Sequence, residues 1–181
     1  MIIEQLPIIN LLLFLLMALA IPLLKRKSFT ITLVLGFIVL GLVLISSSYL
    51  LWYVNNVETI QYVFGGHESR FGIEFIIDPF SALFTTIIAG LASIIYIYSS
   101  GDATEGIEKK EYGRYYVLLF ILLMSMFGIL YTNDLFNTYV FIEILSITTC
   151  AIISIKKKKD TYTSAFRYVM MNELGSLSYL F

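Results

Sequence analysis

Charge, cysteine and histidine are all scarce in this chain of 181 residues. Charged side chains make up 14% of the sequence, against about 25% in soluble domains. With one cysteine, Cys150, and one histidine, the chain cannot form an internal disulfide, and we expect no haem or iron–sulfur ligation by this chain alone. The net charge of −1 gives no general attraction to nucleic acid. We therefore expect no metal, no cofactor and no nucleic-acid partner.

Motifs of self-contained enzymes are missing as well. The sequence has no CxxC, HExxH or GxSxG pattern and no glycine-rich phosphate loop, so we expect no catalytic site within the chain. What is abundant is apolar surface: 59% of the residues are hydrophobic, and the mean hydropathy is +0.86. This composition indicates an integral membrane protein, which leaves transport, or a structural role within a larger complex.

Long apolar runs predict an all-α membrane protein with about six transmembrane helices. Each clear run is close to the ~20 residues that a bilayer requires. The pair Asp78-Pro79 is typical of a helix start, with a capping residue followed by proline at the first helical position. We expect one transmembrane domain over residues 1–181, with a short hairpin in an outer loop at 54–78. The predicted spans are 6–24, 29–53, 79–99, 115–131, 135–155 and 163–181.

Basic residues cluster in every second loop, and this distribution predicts the orientation of the chain in the membrane. The positive clusters follow the first, third and fifth spans and fall on one side if the N-terminus is outside, whereas the opposite loops hold only Arg70. The positive-inside rule then places the clusters in the cytoplasm of a multi-pass plasma-membrane protein. The last cluster could also contact anionic lipid headgroups. The clustered residues are Lys25, Arg26, Lys27, Lys109, Lys110, Arg114, Lys156, Lys157, Lys158, Lys159 and Arg167.

Glu143 lies in the run Leu135–Ile155, which has no other ionisable side chain apart from Tyr139 and Cys150. Counting along a helix at ~1.5 Å per residue places its carboxyl near the middle of a ~30 Å hydrocarbon layer. A carboxylate there costs roughly 2.5 kcal/mol or more, so it is expected to face protein or water and to have a function. The alternative is a structural carboxyl that hydrogen-bonds to a neighbouring helix.

Other polar residues join Glu143 as candidate ion-translocation residues. Tyr139 and Ser146 share its helical face, by i−4 and i+3 spacing. Glu173 also falls near mid-membrane, in the sixth predicted span. Asp134, at the start of the fifth span, is either a helix cap or a proton uptake point. Burial disfavours the charged form of a carboxyl and a nearby cation favours it, so a group between those influences can take up and release protons. We predict this behaviour for Glu143.

Three segments resemble the antiporter-like subunits of Mrp cation/proton antiporters, membrane-bound hydrogenases and respiratory complex I. Phe71–Leu83 (FGIEFIIDPFSAL) is similar to their outer loop and third-helix start. Asn133–Glu143 (NDLFNTYVFIE) resembles their fifth helix, and Ala165–Ser176 (AFRYVMMNELGS) the start of their sixth. The resemblance covers most of the chain and implies the N-terminal part of a fourteen-helix fold.

By that resemblance, Glu143 is the proton-relay glutamate, which in the family pairs with a lysine on a broken seventh helix. No later helix and no such lysine is present in this sequence. The chain is then a truncated product, part of a split subunit, or an N-terminal module that another chain completes. We expect partners among the other membrane subunits of an antiporter, respiratory or hydrogenase complex, including a chain that supplies the missing helices and the lysine.

Two functions follow as expectations. The first is proton or sodium translocation, as part of an antiporter-like subunit in a Na+/H+ antiporter or a redox-driven ion pump such as an NADH dehydrogenase or hydrogenase complex. The second is a non-conducting structural or assembly subunit of such a complex. The ion carried and the driving reaction stay open at this stage.

Overall fold

Six helices account for most of the computed structural model, which describes residues 2–24, 29–63, 74–100, 107, 111–155 and 159–180. Five of these helices are long and apolar enough to cross a membrane by length and composition. The sixth has 22 residues but is more polar, since it carries four charged positions. In chain order the helices are α1 (Ile2–Leu24), α2 (Phe29–Asn56), α3 (Pro79–Ser100), α4 (Tyr112–Tyr131), α5 (Leu135–Ser154) and α6 (Lys159–Leu180).

A short antiparallel hairpin lies between α2 and α3. Its strands are β1 (Ile60–Val63) and β2 (Glu74–Ile77), with Ile60 opposite Ile77 and Val63 opposite Glu74. The hairpin expected in this loop is therefore present, although residues 64–73, which include the possible turn Gly65-Gly66 and the single histidine, His67, lie outside the described residues.

The hairpin leads directly into α3, which begins with a reciprocal cap. Ser81 N donates to Asp78 Oδ1 at 2.7 Å, and Asp78 N donates to Ser81 Oγ at 2.9 Å. Two backbone donors at the helix start are thus satisfied by side chains, which fixes where α3 begins.

The first four helices form a bundle around an aromatic core. Helix α1 packs against α4 and α2, and α2 packs against α3. Phe14 and Phe127 meet edge to face with ring centroids 5.1 Å apart, and Tyr96 meets Tyr116 at the same distance. The remaining two helices extend from this bundle, because α5 packs against α4 and α6 packs mainly against α5.

Several observed helices are longer than the hydrophobic spans that the sequence predicts. Helix α1 begins at Ile2 rather than near Leu6, α2 continues to Asn56 rather than Tyr53, α4 begins at Tyr112, and α6 begins at Lys159 rather than near Thr163. The reason is physical: a helix can continue past the hydrocarbon layer into the interfacial region, where polar residues are tolerated and no apolar signal is required. The basic clusters that predict orientation lie outside the described residues, apart from Arg114, Lys159 and Arg167.

Candidate functional site between helices 5 and 6

The two most buried side chains of α5 are both polar. Ser146 is 1% exposed and Thr148 is 4% exposed, whereas Leu135 and Ile147 are 70% and 61% exposed. In a membrane, an exposed leucine meets lipid at no cost, but a polar group needs a hydrogen-bonding partner. The two polar residues are two positions apart and so lie on opposite faces of α5, which packs against α4 and against α6.

Glu143 lies on α5 and is hydrogen-bonded to α6. Ser176 Oγ, 4% exposed, donates to Glu143 Oε1 at 2.5 Å. Tyr139 lies one turn before Glu143 on the same helix face, by i−4 spacing. The carboxyl in the middle of α5 thus accepts a hydroxyl from α6 and has a second hydroxyl group one turn away on its own helix.

Glu173 of α6 lies three residues before Ser176, the partner of Glu143, and so falls on a neighbouring turn of the same side of α6. A carboxyl at membrane depth is costly and is expected to face protein or water. The interface of α5 and α6 therefore has a carboxyl-bearing residue on each helix.

Polar contacts continue along the same seam toward the other end of α5. Asn172 Nδ2 donates to Ser146 Oγ, and Ser146 Oγ donates to the Ile142 carbonyl at 2.8 Å. Further on, Cys150 Sγ lies 3.7 Å from the Ala165 carbonyl oxygen. As the α5 partners ascend in number, the α6 partners descend, so the two helices run antiparallel.

Asp134 is separate from this cluster. It is the N-cap of α5, and its Oδ1 accepts from Phe136 N at 2.9 Å. Nine residues of helix, roughly 14 Å, separate it from Glu143. The structure therefore joins Glu143 to Ser176 and Ser146 to Asn172 across the two helices, places Tyr139 and Glu173 one turn from these contacts, and leaves Asp134 at the helix end.

Asn172 and Ser176 are the site residues that we did not select from the sequence. The signal was present, because Asn172, Glu173 and Ser176 fall on one side of α6 by i, i+1, i+4 spacing, among apolar neighbours. Within the described part of the chain no ion pair reaches Glu143 or Glu173: the one found there joins Arg114 Nη1 and Glu111 Oε2 at 2.8 Å. Among the same residues, no three metal-ligating side chains gather in one place.

The six helices, five of them long and apolar enough to cross a membrane, and the hairpin between α2 and α3 define the class: a multi-pass α-helical membrane protein. No protein-family model matches the chain, but individual relatives do. An antiporter subunit of Staphylococcus epidermidis, named mnhD2, is 33% identical over 129 residues, which is 70% of this chain and 25% of the relative. An NADH-quinone oxidoreductase subunit N of Desulforudis audaxviator is 31% identical over 125 residues, covering 68% of this chain and 24% of that subunit.

Solved structures agree with these relatives. A chain of the membrane-bound sulfane sulfur reductase, an archaeal respiratory membrane complex, matches 95% of this chain with a TM-score of 0.85 and 25% identity. A chain of the Mrp complex from Dietzia sp. DQ12-45-1b matches 98% with a TM-score of 0.80 and 20% identity. The chain spans about a quarter of the curated relatives and about a third of the solved chains. It is homologous to the N-terminal portion of antiporter-like subunits.

Proposed function

We propose that the chain takes part in proton or sodium translocation as the N-terminal portion of an antiporter-like subunit, with Glu143 as the proton-relay carboxylate. The observation that carries this proposal is the Glu143 carboxyl in the middle of α5, which accepts a hydrogen bond at 2.5 Å from Ser176 Oγ of α6, between two helices of a membrane bundle. Intramembrane carboxyls are expensive and commonly belong to ion pathways. The names of the relatives, an antiporter subunit and an NADH-quinone oxidoreductase subunit, support the same reading.

Each polar residue has a part in this proposal. Glu143 alternates between accepting hydrogen bonds as a carboxylate and carrying a proton, while Glu173 exchanges that proton with it. Tyr139 supplies a hydroxyl one turn from Glu143 on the same helix, and Ser146 anchors α6 through Asn172. Asp134 serves ion uptake at the capped end of α5, about 14 Å away along the helix, a distance that requires water or further side chains to bridge it.

Partners are part of the proposal as well. Glu143 and Glu173 are only half-buried, and Arg167 of α6 is exposed. Charged groups at membrane depth do not face lipid stably. Further helices, supplied by other membrane subunits or by another chain that carries a lysine, would cover this flank and give the carboxyl pair a cation. The expected site of the assembly is the plasma membrane.

The experiment is the substitution Glu143→Gln in the assembled complex, followed by ion flux in sealed vesicles. We expect proton and sodium flux to fall at least about tenfold, the effect of losing one positioned proton-transfer group. Glu58→Gln, an exposed carboxyl beside β1, is the matched control and should leave flux unchanged. Native gels would establish that both variants assemble. Normal flux in an assembled Glu143→Gln complex would refute the translocation role.

A structural role is the second candidate, and one observation favours it. The carboxyl pair has no cationic partner among the described residues, and α6 rests mainly on α5 alone. In that case the Glu143 contacts would serve only to attach α6 to α5. Glu143→Gln would then lower the yield of assembled complex, while the complex that does assemble would conduct normally.

A further inference from the structure

The outward face of α2 changes its chemistry in steps toward the hairpin. About one exposed residue per turn follows this face, first four large aliphatic side chains and then two aromatic ones. Beyond them, Asn55 and Asn56 are exposed and polar, and they donate to carbonyls of their own helix at 2.9 and 2.6 Å. The face therefore passes from apolar to amphipathic to polar within one helix. The aliphatic and aromatic residues are Val34, Ile38, Leu42, Ile45, Tyr49 and Trp52.

The opposite sides of α2 and α3, which pack against neighbouring helices, have smaller residues. Gly36 of α2 is buried where Tyr96 of α3 packs against it. Helices in a membrane associate through small residues that let their backbones approach closely. The large aliphatic residues on the outward face therefore have the character of a surface that meets lipid. Apart from Tyr96, the buried residues of α3 are Ser81, Ala82, Thr85, Ala89, Ala92 and Ser99.

Tyr49 and Trp52 are stacked on each other near the hairpin end of α2. Their ring centroids are 6.1 Å apart, with 28° between the ring planes, and Trp52 is 58% exposed. Tryptophan and tyrosine are enriched at the headgroup level of membranes, because each has an apolar ring and one polar group. The pair lies between the aliphatic residues and the two asparagines, which is the position expected for that level.

Tyr98 lies at the opposite end of the same surface. It is 73% exposed on α3, which runs antiparallel to α2, since the hairpin joins the end of α2 to the start of α3. Because Tyr96 packs against Gly36, helical rise places the levels of Trp52 and Tyr98 about 27 Å apart. The hydrocarbon core of a bilayer is ~30 Å thick. The exposed aromatic residues at the two ends are therefore separated by nearly the thickness of that core.

We propose that the outward face of α2 and α3 is a lipid-contacting surface of the assembled complex, with Tyr49 and Trp52 in one headgroup layer and Tyr98 in the other. The aliphatic residues between these levels contact acyl chains. Neighbouring subunits then pack against other parts of the chain. This inference concerns the placement of the protein in its complex and does not depend on ion translocation.

The test is the fluorescence of Trp52, which is the one tryptophan of the chain. The complex is placed in phosphatidylcholine vesicles whose acyl chains carry bromine, a contact quencher, either near the headgroup or near the chain end. Subtracting the emission of a Trp52→Phe complex leaves the signal of Trp52, which should lose more emission to the shallow bromine. In the Trp52→Phe background, Ile45→Trp lies roughly 10 Å deeper along α2 and should lose more emission to the deep bromine.

Phe14→Trp in the same background is the matched control, because Phe14 is fully buried in the aromatic core. Its emission should be the same in brominated and plain vesicles. If Trp52 also keeps its full emission in both brominated vesicles, a protein covers this face and the inference is wrong. A larger loss to the deep bromine would overturn the headgroup position of Trp52. The reading from Trp52 decides both points even if Ile45→Trp does not assemble, and neither result alters the flux expected of Glu143→Gln.

Discussion

Asn10 is a fully buried amide on α1, in a run of otherwise apolar residues. Ser46 Oγ donates to its Oδ1 at 2.5 Å, and its Nδ2 donates to the Tyr131 hydroxyl at 3.4 Å. One side chain therefore joins α1 to both α2 and α4. In lipid, where water cannot replace a lost partner, such a bond holds helices together.

We predict that Asn10→Leu, which is nearly isosteric, lowers the free energy of unfolding by about 1–2 kcal/mol. The loss arises because the buried Tyr131 hydroxyl loses a donor. Asn55→Leu is the control: Asn55 is exposed and donates only to the Leu51 carbonyl of its own helix. Thermal unfolding in detergent would measure both. Equal midpoints for the two variants would show that the Asn10 contacts add nothing.

Some residues of the candidate site could be selected from the sequence alone, and others could not. Glu143 could be selected from the sequence because a lone carboxyl in an apolar run has an obvious cost. Its contact with Ser176 joins residues that are 33 positions apart in the sequence. Such a contact depends on how the two helices are rotated against each other, which the sequence of either helix alone does not predict. Tyr139 was reachable by local spacing, since it is on the same helix as Glu143. The role of Ser176 required the second helix in place.

Helices α2 and α3 meet where a glycine makes room for a tyrosine. A Cβ added at Gly36 would lie 2.0 Å from the hydroxyl oxygen of Tyr96. Tyr96 is fully buried, and its hydroxyl lies 3.3 Å from the Leu33 carbonyl oxygen. The ring is also confined by Phe37 and Tyr116, with centroids at 4.9 and 5.1 Å. The Tyr96 ring therefore has little room to move aside for a methyl group at position 36.

We predict that Gly36→Ala destabilises the fold by about 1–3 kcal/mol, the usual cost of overpacking a tight contact. Gly41→Ala is a control within the same helix, because a Cβ there meets nothing within 4 Å; it should be neutral or stabilising, since alanine favours helix over glycine. The measurement is again the unfolding midpoint in detergent. If both alanines act alike, the close approach of α2 and α3 at Tyr96 is not what limits stability.

At the level of elements, most of the fold follows from the pattern of the sequence. Apolar runs of bilayer length predict the helices, and the weak alternation before Asp78 predicts a strand. The attachment of the hairpin to the α4–α5 turn was not predictable in that way. Phe75 pairs with Thr132, and Asn133 Nδ2 donates to Glu74 Oε2 at 3.1 Å. Asn133 and Glu74 are 59 residues apart in the sequence, so no periodic pattern within one helix or strand predicts their contact.

The molecule as a whole consists of a packed four-helix bundle with a two-helix extension. Aromatic residues fill the bundle, whereas α5 meets α4 along one side and α6 along the other. The candidate ion site lies in the extension and not in the bundle core. Glu143 and Glu173 therefore lie near the side of α6 that faces away from the bundle. In the proposed function, the bundle holds the site in place, and a neighbouring membrane subunit packs against that side of α6 and supplies the missing cation.

Orientation is the remaining property of the whole molecule, and we predict that the hairpin end is outside. Cys150 is the one cysteine, so a Cys150→Ala background allows single labels. Thr59→Cys, exposed beside β1, lies at the hairpin end, and Ser100→Cys, the last residue of α3, lies at the opposite end. A membrane-impermeant maleimide should label the first in intact cells and the second only after the membrane is opened. The reverse pattern would place the N-terminus and the hairpin in the cytoplasm, and the positive loops outside.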